Sequence, residues 1–155
     1  MISRRLALGA LIALSAAFAV QAEGPPSLRM LVNGPQRSAG NVARDPWRHP
    51  LESLTFWGLN PGQTVIEIDP AGGYWTEILA PYLATHGGHY VAGMADPNDP
   101  ATSDGARKGR AAFAAKFADA SVFWTIGYAP FSSAGGLTAA PDSADLILIS
   151  RNIII

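Results

Sequence analysis

The chain has 155 residues and a nearly balanced charge, with 11 Lys and Arg against 12 Asp and Glu, and it contains no cysteine. The balanced charge argues against a basic surface that binds nucleic acid, and the absence of cysteine excludes disulfide bonds and thiolate metal sites. A chain of this length predicts one domain with a modest core.

The first 22 residues have the pattern of an export signal. Arg4 and Arg5 precede an apolar run over residues 6–20, and Val-Gln-Ala at 20–22 offers small residues for cleavage. The run is too short for a comfortable membrane-spanning helix. We therefore predict a signal peptide over residues 1–22, cleavage before Glu23, and a periplasmic or secreted protein with no later membrane span.

The segment that follows the leader lacks a clear periodicity. Residues 23–41 are rich in Gly, Pro, Ser and Asn, which predicts a flexible arm, so the folded domain is expected over residues 42–155. A helix is predicted over Trp47–Trp57, because apolar residues recur there at helical spacing. Pro50 requires this helix to start late or to kink.

A strand, a glycine turn and a helix then follow in direct succession. After Thr64, residues 65–69 are apolar except for Glu67 and the closing aspartate, which is typical of a strand covered on both faces. Gly72 and Gly73 come next, and a helix is predicted from Tyr74 to Ala84 with a kink or an early end at Pro81. Ligands of open α/β sheets bind at this kind of strand end.

The rest of the chain continues the alternation of strands and helices. We predict a second strand at His89–Met94, a helix at Ser103–Ala118 and a third strand at Ser121–Tyr128. A Gly/Ser-rich loop at Ala129–Ala140 and a fourth strand at Asp145–Ser150 follow. This order predicts an α/β fold with a doubly wound parallel sheet of about four strands and flanking helices.

Three motifs around the first strand carry a family resemblance. They are Arg-His-Pro-Leu-Glu at 48–52, Leu-Asn-Pro-Gly at 59–62 and Thr-Glu-Ile-Leu-Ala-Pro-Tyr-Leu at 76–83. Together with the glycine turn, they resemble the exported branch of the class I S-adenosylmethionine-dependent methyltransferases, closely over about a quarter of the chain. The resemblance implies a Rossmann-like methyltransferase fold that binds S-adenosylmethionine.

The resemblance also implies roles for residues at the glycine turn. Glu67 takes the acidic position of the family pattern, Asp69 and Ala71 stand where the first two glycines are usual, and Gly73 keeps the third. Glu67, Asp69, Gly72 and Gly73 are therefore expected to bind the cofactor. Ala71 departs from the branch, and at a position that needs a positive φ it costs about 1 kcal/mol or more.

Asp96 has two interpretations of equal weight. It lies just past the second strand, where the family places a carboxylate that accepts hydrogen bonds from the cofactor ribose, and it also opens an Asp-Pro turn. An NAD-binding domain would use a similar acid. Such a domain needs Gly-x-Gly-x-x-Gly directly after the strand, and residues 69–74 do not fit that template.

Asn152, at the end of the fourth strand, occupies the position where methyltransferases often orient the methyl acceptor, so the resemblance makes it the catalytic candidate. Family members have seven strands, and the chain resembles their amino-terminal half. We expect a methyltransferase that is inactive if truncated, or else a non-enzymatic exported binding module or decayed gene product.

The remaining expectations concern partners. The methyl acceptor is not specified by the sequence, and self-association through the open sheet edge over residues 147–155 is expected. No hydrolase triad, paired carboxylates or histidine-rich metal-ligand spacing is present, so neither a metal site nor a hydrolase is predicted.

Overall fold

The structure, a computed structural model, describes residues 24–150. The predicted leader, its cleavage site and Asn152 lie outside the described residues. The helices α1 to α7 span, in chain order, Leu28–Val32, Ala39–Val42, Asp45–Arg48, Pro50–Phe56, Thr76–Thr85, Asp104–Lys116 and Ala120–Phe123. The strands β1 to β5 span Thr64–Ile68, His89–Ala95, Gly127–Ser132, Gly136–Leu137 and Leu146–Leu148.

The strands form one five-stranded sheet in the order β4-β3-β2-β1-β5. β3, β2, β1 and β5 are parallel, and the two-residue β4 pairs with β3 in antiparallel fashion. The predicted α/β class is therefore confirmed, but the sheet is mixed and has five strands where about four parallel ones were expected. The bounds of β1, β2 and β5 differ from the predicted ones by one or two residues.

Helix α5 lies at the centre of the core. All of its residues from 76 to 83 are buried, and Ile78, Leu79 and Leu83 are fully inaccessible to solvent. Such a helix packs on all sides, against the sheet on one side and against α1 on the other. Because α5 follows directly from the glycine turn, this packing fixes the position of the turn.

Pro81 was expected to kink or end this helix, yet α5 runs through it to Thr85. Proline has no N–H and cannot donate to the carbonyl four residues earlier, which belongs to Glu77. Gln36 compensates for this loss, because its Nε2 donates to the Glu77 carbonyl at 3.2 Å. A side chain from a distant segment therefore keeps the helix continuous.

The segment expected to be a flexible arm, residues 23–41, is part of the fold over its described residues. It contains α1 and the start of α2, and Leu31, Val32 and Arg37 in it are buried. Ser27 caps α1 by accepting a hydrogen bond from the Met30 N–H at 3.3 Å. The low periodicity of the segment reflects its short helices, and their few apolar residues still join the core.

The predicted third strand over Ser121–Tyr128 is wrong for most of its length. A short helix, α7, begins there because the Asp119 carboxylate accepts a hydrogen bond from the Ser121 N–H at 3.0 Å. The strand β3 starts only at Gly127 and runs into the segment predicted as a Gly/Ser-rich loop, which also contains β4.

The predicted helix over Trp47–Trp57 consists of two helices, α3 and α4. His49 separates them with a left-handed φ of 43°. A residue before proline is disfavoured in the helical region, and Pro50 therefore forces the break.

Within residues 24–150, no helix is both long and apolar enough to cross a membrane.

Candidate functional site

The glycine turn joins β1 to α5 and has alternating left-handed residues. Asp69, Ala71 and Gly73 have φ values of 47°, 49° and 76°. These are the three positions at which the family pattern has glycine, so the expected conformational demand at Ala71 is present. Two non-glycine residues in this region store backbone strain, and such strain is concentrated at functional sites.

This strain gives a stability prediction for Ala71→Gly. Removing the methyl group relieves the left-handed penalty of ~1–2 kcal/mol, and the added freedom of the unfolded chain takes back part of the gain. We expect a net stabilisation of about 0.5–1 kcal/mol in urea unfolding. Ala112→Gly is a matched control on the exposed surface of α6, where glycine should destabilise by a similar amount. A destabilised Ala71→Gly protein would contradict the strain argument.

The two glycines of the turn have different surroundings. A Cβ on Gly73 would lie 2.3 Å from the Phe117 ring, whereas a Cβ on Gly72 would meet no atom within 4 Å. Lys116, next to Phe117, donates from Nζ to the Gly72 carbonyl at 2.7 Å. The end of α6 therefore holds the turn, and Gly73 is required by packing within the protein.

A cleft of about 700 Å³ opens beside this turn, between the carboxyl ends of three strands and the first half of α6. Its lining is mostly apolar or small, with Asp69 and Arg110 as its ionisable residues. The lining residues are Ile68, Asp69, Ala71, Gly93, Met94, Ala95, Gly105, Ala106, Gly109, Arg110 and Phe131. This is the crevice in which open α/β sheets bind ligands.

Of the four cofactor-binding candidates at the turn, the structure places only Asp69 on the cleft lining. Gly72 is exposed beside it. Gly73 is buried against Phe117, and Glu67 is buried with only 1% of its surface exposed.

Glu67 forms a buried polar cluster with residues of α5 and β2. Its Oε2 accepts from Tyr90 Oη at 2.6 Å and from Thr76 Oγ1 at 3.2 Å, and these two hydroxyl groups are 2.8 Å apart. Burial raises the pKa of Glu67 to about 7, and the two hydroxyl groups oppose this shift. The carboxyl group makes these contacts inside the protein and links β1 to β2 and to the start of α5.

Asp96 caps the loop that follows β2. Its Oδ1 accepts from the Asn98 N–H at 2.9 Å, and its carbonyl accepts from Thr102 Oγ1 at 2.6 Å. This is the geometry of the Asp-Pro turn interpretation. The lining of the cleft does not include Asp96.

Sequence reasoning missed a charged network on the other side of the turn. Arg37 pairs with Asp45 through two hydrogen bonds of 2.7 and 3.0 Å, and Asp45 also accepts from Tyr74. The buried Glu77 binds Lys116 Nζ at 2.8 Å. Desolvation raises the pKa of Glu77, but hydrogen bonds, the largest from Lys116, lower it on balance. The network joins the amino-terminal helices, α5 and α6 around the turn.

Arg48, noted in the family motif, contributes to this arrangement. Its guanidinium lies 4.7 Å from the centre of the Tyr74 ring, and those of Arg37 and Arg44 lie at 5.0 and 5.1 Å. Stacked cations of this kind fix an aromatic ring. Tyr74 directly follows the glycine turn, so this stack restrains the start of α5.

Arg110 and Phe131 were also missed as cleft residues. The sequence contains a signal that α6 could line a cleft, because the small residues Gly105, Ala106 and Gly109 recur at helical spacing beside Arg110. No comparable signal marks Phe131, because the strand that carries it was predicted as a loop.

Comparisons with protein-family models, with curated proteins and with solved structures find no match to this chain. No group of three or more His, Asp or Glu side chains arranged to hold a metal ion occurs among residues 24–150. The site is thus defined by its own geometry: a strained turn, an apolar cleft and two ionisable residues.

Proposed function

We propose that this chain is an exported protein of the S-adenosylmethionine-dependent methyltransferase class, with a Rossmann-like fold, and that it binds S-adenosylmethionine in the cleft beside the glycine turn. The observation that carries the proposal is the turn itself. Its left-handed residues at 69, 71 and 73 coincide with the glycine positions of the family pattern, and Asp69 and Ala71 line the cleft.

The sheet supports the proposal. The parallel strands run in the order β3-β2-β1-β5, which is the order of the first four strands of a doubly wound dinucleotide-type sheet. The order reverses next to β1, and the glycine turn leaves the sheet at that reversal. A cleft of about 700 Å³ is within the size range of cofactor sites.

The residues present suit a positioning mechanism. S-adenosylmethionine supplies an electrophilic methyl group on a sulfonium centre. The chain's contribution is to hold the donor, with Asp69 lining the cleft at the turn and Ile68, Met94 and Phe131 offering apolar surface. Methyl transfer needs no covalent enzyme intermediate, and orientation alone supplies up to roughly 7–11 kcal/mol in well-oriented cases.

Gly109→Leu tests this site without disturbing the fold. A Cβ at Gly109 would meet no atom within 4 Å, and the residue lines the cleft from α6. Leucine should therefore fill the cleft while stabilising the helix by ~0.5–1 kcal/mol through its higher helix propensity. We expect calorimetric titration to show binding of S-adenosylmethionine to the full chain and at least a tenfold loss in this variant.

Ala112→Leu is the matched control, because Ala112 is exposed on the same helix and does not line the cleft. It should bind as the parent does. Equal affinity in Gly109→Leu would place the cofactor elsewhere, and no binding to the parent would refute the proposal. Binding without transfer of labelled methyl groups to envelope extract would favour the non-enzymatic binding module.

A further inference from the structure

Arg110 is the one cationic residue in the lining of the cleft. Its Nη1 atom is buried and has no hydrogen-bond acceptor in the described part of the chain. A buried donor without an acceptor is costly, and more so when it is charged. The surrounding lining is apolar or small, so the protein itself offers little to satisfy this group.

The guanidinium is nevertheless held in place. It lies 4.5 Å from the centre of the Tyr128 ring, a stacking distance that restrains the planar group against β3. The other α6 residues that line the cleft, Gly105, Ala106 and Gly109, are small, so a ligand can approach Arg110 along the helix.

We infer that Arg110 binds an oxyanion of the cleft ligand, a carboxylate or a phosphate. The planar guanidinium donates two parallel hydrogen bonds to either group. An oxyanion bound at the α6 side of the cleft gives the buried Nη1 donor of Arg110 an acceptor.

The inference rests on the proposed function only for the source of the oxyanion. If the ligand is S-adenosylmethionine, the oxyanion is the carboxylate of its amino-acid part. A phosphorylated nucleotide would offer the same chemistry from another source. The test therefore compares S-adenosylmethionine, 5′-methylthioadenosine, which lacks the amino-acid part, and ADP, each titrated into the full chain.

We expect Arg110→Met to weaken binding of the anionic ligand at least tenfold and to leave the affinity for 5′-methylthioadenosine within twofold. Arg110→Lys, which keeps the charge but loses the planar fork, should show an intermediate loss. Lys108→Met is the matched control, because it removes an equal charge from an exposed position on the same helix and should change neither affinity.

The outcomes separate the two hypotheses. Arg110-dependent binding of ADP without binding of S-adenosylmethionine would refute the proposed function and support the oxyanion site. An equal loss of 5′-methylthioadenosine binding in Arg110→Met would show a structural role and overturn the inference. So would equal behaviour of Arg110→Met and Lys108→Met, or the absence of Arg110-dependent binding of any probe.

Discussion

Replacing Gly73 with valine should destabilise the protein by roughly 3–5 kcal/mol, the sum of a left-handed backbone penalty and an overpacked core. Gly73 has a φ of 76°, and a Cβ there would lie 2.3 and 2.4 Å from two carbon atoms of the Phe117 ring. Phe117 is itself buried and packs on Phe113 and Phe123. A displacement of the ring would disturb these two contacts. A loss of roughly 3–5 kcal/mol is a major fraction of the stability of a small domain.

Gly72→Val is the matched control in urea unfolding. Gly72 is exposed, has no left-handed φ, and its Cβ would meet nothing within 4 Å. We expect a change of about 0.5 kcal/mol or less. The double variant Gly73→Val/Phe117→Ala should lose less than the sum of the two single variants, because the clash is removed. A stable Gly73→Val protein would contradict this packing.

The same contact shows why the turn could be located from the sequence but not explained by it. The succession of an apolar strand, two glycines and a helix start is a local pattern, and the structure has β1, the turn and α5 there. What requires Gly73 is the end of α6, and Lys116 is separated from Gly72 by 44 positions. Gly73 was therefore expected to bind the cofactor, whereas in the structure the ring of Phe117 occupies the space next to it.

Two other differences have similar physical causes. Gln36 supports α5 at Pro81 from a segment without periodicity, so local propensity predicted a break that a distant hydrogen bond prevents. Asp119 caps α7, a local signal that was outweighed by the apolar and β-branched residues following it. Of the residues that line the cleft, Asp69 had been predicted, as a cofactor-binding residue implied by the family resemblance, whereas Arg110 required knowledge of how α6 packs.

Glu67 was expected to bind the cofactor because of its position in the family pattern, and a carboxylate inside a covered strand is costly unless it has a partner. The structure supplies those partners, Tyr90 and Thr76, from strand β2 and helix α5, which sequence spacing does not identify. The cost remains, since burial raises the pKa of Glu67 to about 7 despite both hydroxyl groups and the attraction of Arg48.

This raised pKa predicts how stability depends on pH. Between the ordinary glutamate pKa of 4.5 and about 7, the folded protein keeps the Glu67 proton while the unfolded chain has released it. The folded state then binds more protons, so the contribution of Glu67 to stability is greatest below this window and falls as pH rises through it, by up to about 3 kcal/mol. Above pH 7 the loss is complete and constant.

Glu67→Gln isolates this effect, because glutamine has a similar shape and does not titrate. The free energy of unfolding of the variant, minus that of the parent, should rise by up to about 3 kcal/mol between pH 4.5 and 7. Tyr90→Phe removes the hydroxyl group 2.6 Å from the carboxylate, so it should raise the pKa of Glu67 further and extend the window upward. The difference in unfolding free energy between Glu67→Gln and the parent could instead stay constant over this pH range. That result would mean that the carboxyl group is ionised throughout, and that the buried cluster of Glu67, Thr76 and Tyr90 holds a charge.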